Sequence, residues 1–236
     1  MPSRNSLKTY AENSYYHIYN RGVEKRTIFQ DEQDYSVFLS YLKDYLLPID
    51  RESLLDQLSS PQAHWKEKDK ILKLLKLRNF ANEITLLSHC LMPNHFHFLV
   101  KQTKADSIDR FISSLGTRYT MYFNKKHKRV GSLCQGVYKA VLVETDEQLL
   151  HLTRYIHKQA LASQGETLQS WEAGQPCSYG DQPCSYPEYL GKRKTEWVKP
   201  QEILSFFSKT NPKLTYEAFM RQEEYTEPIV KLTLED

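Results

Sequence analysis

Two histidines stand one residue apart in LMPNHFHFLV, residues 91–100. His95 and His97 are separated by Phe96 and followed by an apolar run. A strand sends alternate side chains to opposite faces, so both imidazoles emerge on one side while Phe96 and Phe98 can enter a core on the other. Two imidazoles at neighbouring same-face positions can chelate one divalent ion. A pair of hydrogen-bonded histidines on a half-buried strand would give the same spacing, so a third ligand and a reacting group are needed to separate the two readings. The segment DEQLLHLTRYIHKQALA, residues 146–162, offers candidates for both. Leu149, Leu152, Ile156 and Ala160 form an apolar stripe at helical spacing. Tyr155 and Gln159, four residues apart, stack on one helix face beside it. There a phenol and an amide could look across a sheet at the histidines; ordinary amphipathic packing would give the same spacing.

The elements that must position these groups follow from periodicity. YYHIYNR, residues 15–21, alternates and is rich in aromatics, which predicts a strand ending at Gly22. Tyr35, Phe38, Leu39, Leu42, Tyr45 and Leu46 recur at helical spacing from Asp31 until Pro48 stops them. Residues 49–80 are charged and helix-prone, with a short amphipathic pattern at Ile71, Leu72, Leu74 and Leu75, and read as an excursion from the core. Strands are expected over 83–91 and 95–102 with a turn between them. A helix over 107–126 carries the stripe Ile108, Phe111, Ile112, Leu115, Tyr119, Tyr122 and Phe123, with Asp106 or Ser107 as its cap. A fourth strand follows at 137–144. Thr145 with Gln148 three residues on resembles a capping box opening the last core helix. The order strand–helix–strand–strand–helix–strand–helix predicts an α+β fold: a ferredoxin-like antiparallel sheet with helices on one face. Residues 10–165 form the expected main domain, with the helical insertion at about 49–80. Residues 166–236 read as a small accessory tail with short helical patterns at 200–208 and 215–222.

Composition narrows the class. The 236 residues are enough for one sizeable core, and 16 Tyr argue against disorder. No apolar run is long enough to span a bilayer, and the polar start MPSRNSLKTYAENS lacks the apolar core of a signal peptide, so a cytoplasmic protein is expected. Cys90 and Cys134 read as reduced, buried thiols. Cys177 and Cys184 belong to the tandem heptads QPCSYGD and QPCSYPE, whose spacing matches no common zinc signature. The net charge of +3 is too small to imply nucleic acid alone, but basic runs at 125–129, 191–194 and between Lys66 and Arg78 are compatible with a polyanionic partner.

Together these residues resemble a known family, the IS200-like transposases, and within it the REP-associated tyrosine transposases. The resemblance runs through YHIYNRG at 16–22, the IF…D..DY…FL pattern across 28–39, CLMPNHFHFLV at 90–100, TRYTMYFNKKH at 117–127, QGVYKA at 135–140 and RYIHKQ at 154–159. It implies that the histidine–hydrophobic–histidine triplet, His95, Phe96 and His97, carries a metal and that Tyr155 is the nucleophile. One departure stands out. The REP-associated group usually reads YIHLNP, whereas here Tyr155-Ile156-His157-Lys158 is followed by Gln159-Ala160; Gln four residues after the tyrosine fits the mobile IS200-like pattern, in which it is a third metal ligand.

The resemblance further implies cleavage and strand transfer of single-stranded or hairpin DNA, assisted by Mg²⁺ or Mn²⁺ bound weakly in the absence of DNA. The phosphates could be neutralised by Arg21, Lys125, Lys126, Lys128, Arg129 and Lys139. Tyr15, Tyr19 and Tyr138 could offer faces for unpaired bases. Each of these could equally be a solvated charge or a core aromatic. Two other functions share the same residues: a domesticated hairpin-DNA-binding protein without strand transfer, and a metal-dependent phosphodiesterase acting through water. Monomer and homodimer, the latter exchanging the nucleophile helix, both remain open.

Overall fold

A computed structural model describes residues 10–162, 183–222 and 226–233. Four strands form one antiparallel sheet: β1 (Ser14–Arg21), β2 (Ile84–Met92), β3 (His95–Gln102) and β4 (Lys139–Val143), in the order β2-β3-β1-β4. That is the ferredoxin-like order expected from the alternation of elements. Helices α1 (Glu32–Leu46), α4 (Ser107–Lys126) and α5 (Asp146–Ala162) accompany it. The insertion between α1 and β2 holds two helices, α2 (Arg51–Ser59) and α3 (Trp65–Lys76), rather than one. They pack on each other, and Ile71 is the one buried residue of the pair.

Strand alternation divides the interior into two cores. On one face Tyr16, Ile18, Phe96, Phe98 and Val100 meet Phe38, Leu42 and Tyr45 of α1 and Ile108, Phe111 and Leu115 of α4. Each side chain buried in this way contributes about 1.5–3 kcal/mol relative to exposure. On the other face Leu87, Cys90, Leu99 and Val143 meet the α5 stripe Leu149, Leu152, Ile156 and Ala160. The expected helix layer on one face is therefore α1 with α4, and α5 covers the opposite side. Periodicity identifies the apolar stripe of a helix without saying which side of a sheet receives it.

The C-terminal region is also more than an appendage. Tyr186, Tyr189, Ile203, Tyr216, Met220, Ile229 and Leu232 are buried in the second core with α5. Its backbone runs along β2, an edge of the sheet: Leu91 N–H donates to Pro183 O, Ser185 N–H to His89 O and Lys199 N–H to Leu86 O. These bonds occupy backbone groups that an exposed edge would offer to another chain. Cys90 and Cys184 are buried and Cys134 is half-buried; Cys177 and the first heptad lie outside the described residues. Among the described residues no helix is long and apolar enough to cross a membrane.

Candidate active site

His95 opens β3 directly after the turn Pro93-Asn94, and a loop clamps that turn in place. Pro93 O accepts from Ile28 N–H at 2.7 Å and Phe29 N–H at 3.0 Å, and Asn94 O accepts from Gly22 N–H at 2.8 Å. Gly22 can close so tightly because it has no side chain: a Cβ there would lie 2.2 Å from Arg26 O. The strand register then sets His95 opposite Arg21 and His97 opposite Tyr19. Both imidazoles, Arg21, Tyr19 and His17 consequently share the sheet face that α5 covers, as the period-two argument requires.

The rings lie close together. His95 and His97 have centroids 4.9 Å apart at 87°. His95 is half-buried, with Nδ1 2.6 Å from Asn94 Oδ1. His97 is buried, and its Nδ1 lies 2.9 Å from Nε2 of the equally buried His17. The Nδ1 of His17 is in turn 2.7 Å from Leu232 O. Tyr19 stacks on His97 at 5.8 Å and lies 4.8 Å from the His17 ring. His17 carries no mark of this role in its own segment, because the pairing of β1 with β3 is a tertiary fact. Its alternate position to Tyr19 and Arg21 in YYHIYNR was the only available signal.

Tyr155 comes to the same place from α5. Its ring stands edge-on to His97 at 5.7 Å and 88°, and to His17 at 6.3 Å and 81°. Gln159 is half-buried one turn further along the helix. Two features fix the helix that carries them. At its start Thr145 Oγ1 accepts from Gln148 N–H at 3.1 Å, while Gln148 Oε1 accepts from Glu144 N–H at 2.8 Å. This is a near-relative of the expected capping box, with the return bond landing one residue early. Further along, fully buried His157 contacts Tyr216 OH at 2.7 Å through Nδ1 and Ser185 Oγ at 2.8 Å through Nε2, tying α5 to the C-terminal region. Burial holds the His157 pKa down at about 3.

The basic and aromatic candidates separate into groups. Lys139 is exposed and pairs in register with Tyr19, placing it and Arg21 on the histidine face. Lys125 and Lys128 are exposed at the C-terminal end of α4, which packs on the opposite face. Lys126 instead bonds Asp31 at 2.6 Å and the fully buried Asp34 at 2.8 Å. Burial opposes its charge, but the hydrogen bonds it donates to Asp31 and Asp34 prevail and raise its pKa. Asp34 also meets His127 Nε2 at 3.0 Å and Tyr122 OH at 3.1 Å, so Lys126 belongs to a structural hub joining α1 to α4. Arg129 bonds Asn124 Oδ1 and Ser132 O within its own turn. Tyr138 is no platform for bases in this structure: it is 5% exposed, with its hydroxyl 2.5 Å from Tyr10 OH and 3.2 Å from Asp109 Oδ1. Tyr15 OH bonds Glu202, which also takes Lys101 Nζ at 2.6 Å.

Residues 62–159 match the sequence model of the family described as "Transposase IS200 like". The matched segment spans α3, the β2–β3 hairpin, α4, β4 and most of α5, and so contains His95, His97, Tyr155 and Gln159. It is less than half of the chain and leaves β1, with His17, Tyr19 and Arg21, outside. Among solved structures the chain is similar to one described as the REP-associated tyrosine transposase bound to a REP hairpin, at 9% identity and a TM-score of 0.41, covering 83% of this chain and 96% of that one. No curated protein sequence matches the chain.

Among the described residues no group of three or more His, Cys, Asp or Glu side chains is arranged to hold a metal ion. The groups gathered on the histidine face are of another kind, two imidazoles with a nearby amide-bearing helix. Two imidazole nitrogens and an amide oxygen would suit a divalent cation with its remaining positions left to phosphate oxygens and water.

Proposed function

We propose that the chain cleaves and rejoins single-stranded DNA through Tyr155, beside a divalent cation held by His95, His97 and Gln159. The observation that carries this reading is the edge-on approach of the Tyr155 ring to His97 at 5.7 Å, within one chain. A cation bound there, Mg²⁺ or Mn²⁺, would polarise the scissile phosphate and offset charge building on its oxygens. The phenol, with an ordinary pKa near ~10, needs that alignment to act at neutral pH. Tyr155 Oη attacks phosphorus in line, the bond to the 3′-oxygen breaks, and the phenolic proton is released as the 3′-hydroxyl forms. The 5′-phosphotyrosine preserves an activated ester. The 3′-hydroxyl of a second strand can then attack it and restore the free phenol.

On this reading Arg21 and Lys139 take the phosphates flanking the reacting one, and the exposed Lys125 and Lys128 extend the contact to more distant backbone. The DNA is a short hairpin with flanking single strand, and the protein acts in the cytoplasm. The main domain spans residues 10–165 with the 49–80 insertion, and within the accessory region 166–236 the described residues from 183 onward supply the cover over α5. Labelled hairpin oligonucleotides incubated with Mn²⁺ test the function. A protein–DNA adduct that survives denaturation and disappears in Tyr155→Phe supports strand transfer. Binding without cleavage would replace it with a hairpin-binding role, and cleavage that persists in Tyr155→Phe with attack by water.

A further inference from the structure

His17 is the buried side chain on this face that the proposed chemistry leaves unused, and its two hydrogen bonds form a directional relay. His17 Nδ1 faces Leu232 O at 2.7 Å. A carbonyl oxygen only accepts, so Nδ1 must carry the proton of the neutral His17 ring. Its Nε2 is then a lone-pair acceptor. That nitrogen lies 2.9 Å from His97 Nδ1, which must therefore donate. His97 is left with its proton on Nδ1 and its lone pair on Nε2. His95 reaches the same state more simply, because Nδ1 faces the Asn94 amide oxygen at 2.6 Å.

We infer that His17 is a positioning residue: anchored by the Leu232 carbonyl, it fixes His97 in the tautomer whose Nε2 can bind a cation. The inference rests on the reading of His95 and His97 as metal ligands. Metal-ligating histidines generally donate their second ring N–H to an outer partner, which sets ring orientation and raises the basicity of the ligating nitrogen. A carboxylate often fills that position; here a second imidazole does, with the proton order set by a backbone carbonyl in the C-terminal region. That region thereby takes part in preparing the site, although Leu232 lies 135 residues beyond His97 in sequence (232 − 97). Tyr19, against both rings, and Tyr155, edge-on to both, restrict the rotation that would break the relay.

Long-range proton–nitrogen correlation spectra of histidine-¹⁵N-labelled, metal-free full-length protein read the tautomer directly. The wild-type spectrum should show His97 protonated on Nδ1. In His17→Phe the Nδ1–H form should give way to a mixture, and Mn²⁺ binding followed by titration should weaken about ten-fold or more. His17→Gln, whose amide oxygen can occupy the place of Nε2, should restore the Nδ1–H form and most of the Mn²⁺ affinity. A wild-type His97 protonated on Nε2 would overturn the inference. So would a folded His17→Phe variant with an unchanged His97 tautomer. If His17→Phe fails to fold, the wild-type and His17→Gln spectra still decide. Absence of a Tyr155–DNA adduct, with the tautomer results as expected, would count against strand transfer and not against the relay.

Discussion

Lowering the pH from 7.5 to 5 should weaken the attachment of α5 to the C-terminal region, and His157 sets the size of the effect. The side chain is fully buried, bonded to the Tyr216 and Ser185 hydroxyls, and burial alone holds its pKa at about 3 against an ordinary 6.5. A depressed pKa on a base means that the unfolded chain takes up a proton that the folded one refuses. The stabilisation is thus complete above the unfolded value and is lost as pH falls from 6.5 towards 3. At about 1.36 kcal/mol per pKa unit, the 1.5 units between 6.5 and 5 correspond to about 2 kcal/mol. Fully buried His89 adds to the loss with the same sign, since burial foremost, then Arg193 and His157, push its pKa down. Urea unfolding followed by tryptophan fluorescence at several pH values, in wild type and in His157→Gln, isolates the His157 contribution. The variant should be about 1–3 kcal/mol less stable at pH 7.5, from the altered buried hydrogen bonds. By pH 5 that gap should have narrowed by about 2 kcal/mol. A gap independent of pH would refute the reasoning, because it would mean that folded His157 takes up its proton as readily as the unfolded chain does.

Asp34→Asn should cost about 1–3 kcal/mol by denaturant unfolding, because it neutralises the buried carboxylate that takes Lys126, His127 and Tyr122 at the α1–α4 hub and leaves Asp31 as the counter-charge of Lys126. Lys139→Ala should weaken hairpin-DNA binding and lower the salt slope of the binding constant by about one. Lys126→Ala should instead lower stability and leave the slope nearly unchanged, a contrast readable by fluorescence anisotropy at several salt concentrations. His95→Ala should reduce cleavage at least a hundred-fold while hairpin affinity without metal stays within about two-fold; parallel loss of both would assign His95 a structural role.

Much of this architecture was legible because it depends on local periodicity. Alternation in YYHIYNR and HFHFLV fixed the strands and put His95 with His97 on one face, and the α5 stripe placed Tyr155 at the edge of a packed surface. What local pattern could not supply was tertiary. Which side of the sheet α5 covers depends on the β4–α5 link, and the partnership of His17 with His97 depends on the pairing of β1 with β3. The counter-charges of Lys126 are more than 90 residues away in sequence, so it read as a free cation. Tyr138 sits in an alternating segment where nothing local says whether its ring faces solvent or Tyr10 and Asp109. The C-terminal region buries Tyr186, Ile203, Met220 and Leu232 from short, irregular pieces, and without a sustained period such residues do not announce a core.

Tyr155 as the covalent nucleophile is the claim on which the functional account turns. Its most direct test is peptide mapping by mass spectrometry of protein incubated with Mn²⁺ and a hairpin-bearing single strand, then digested with nuclease and trypsin. The account predicts a nucleotide-derived phosphate ester on Tyr155 and on no other tyrosine. Cleaved DNA with every tyrosine unmodified, or an ester on Tyr19 in place of Tyr155, would contradict it.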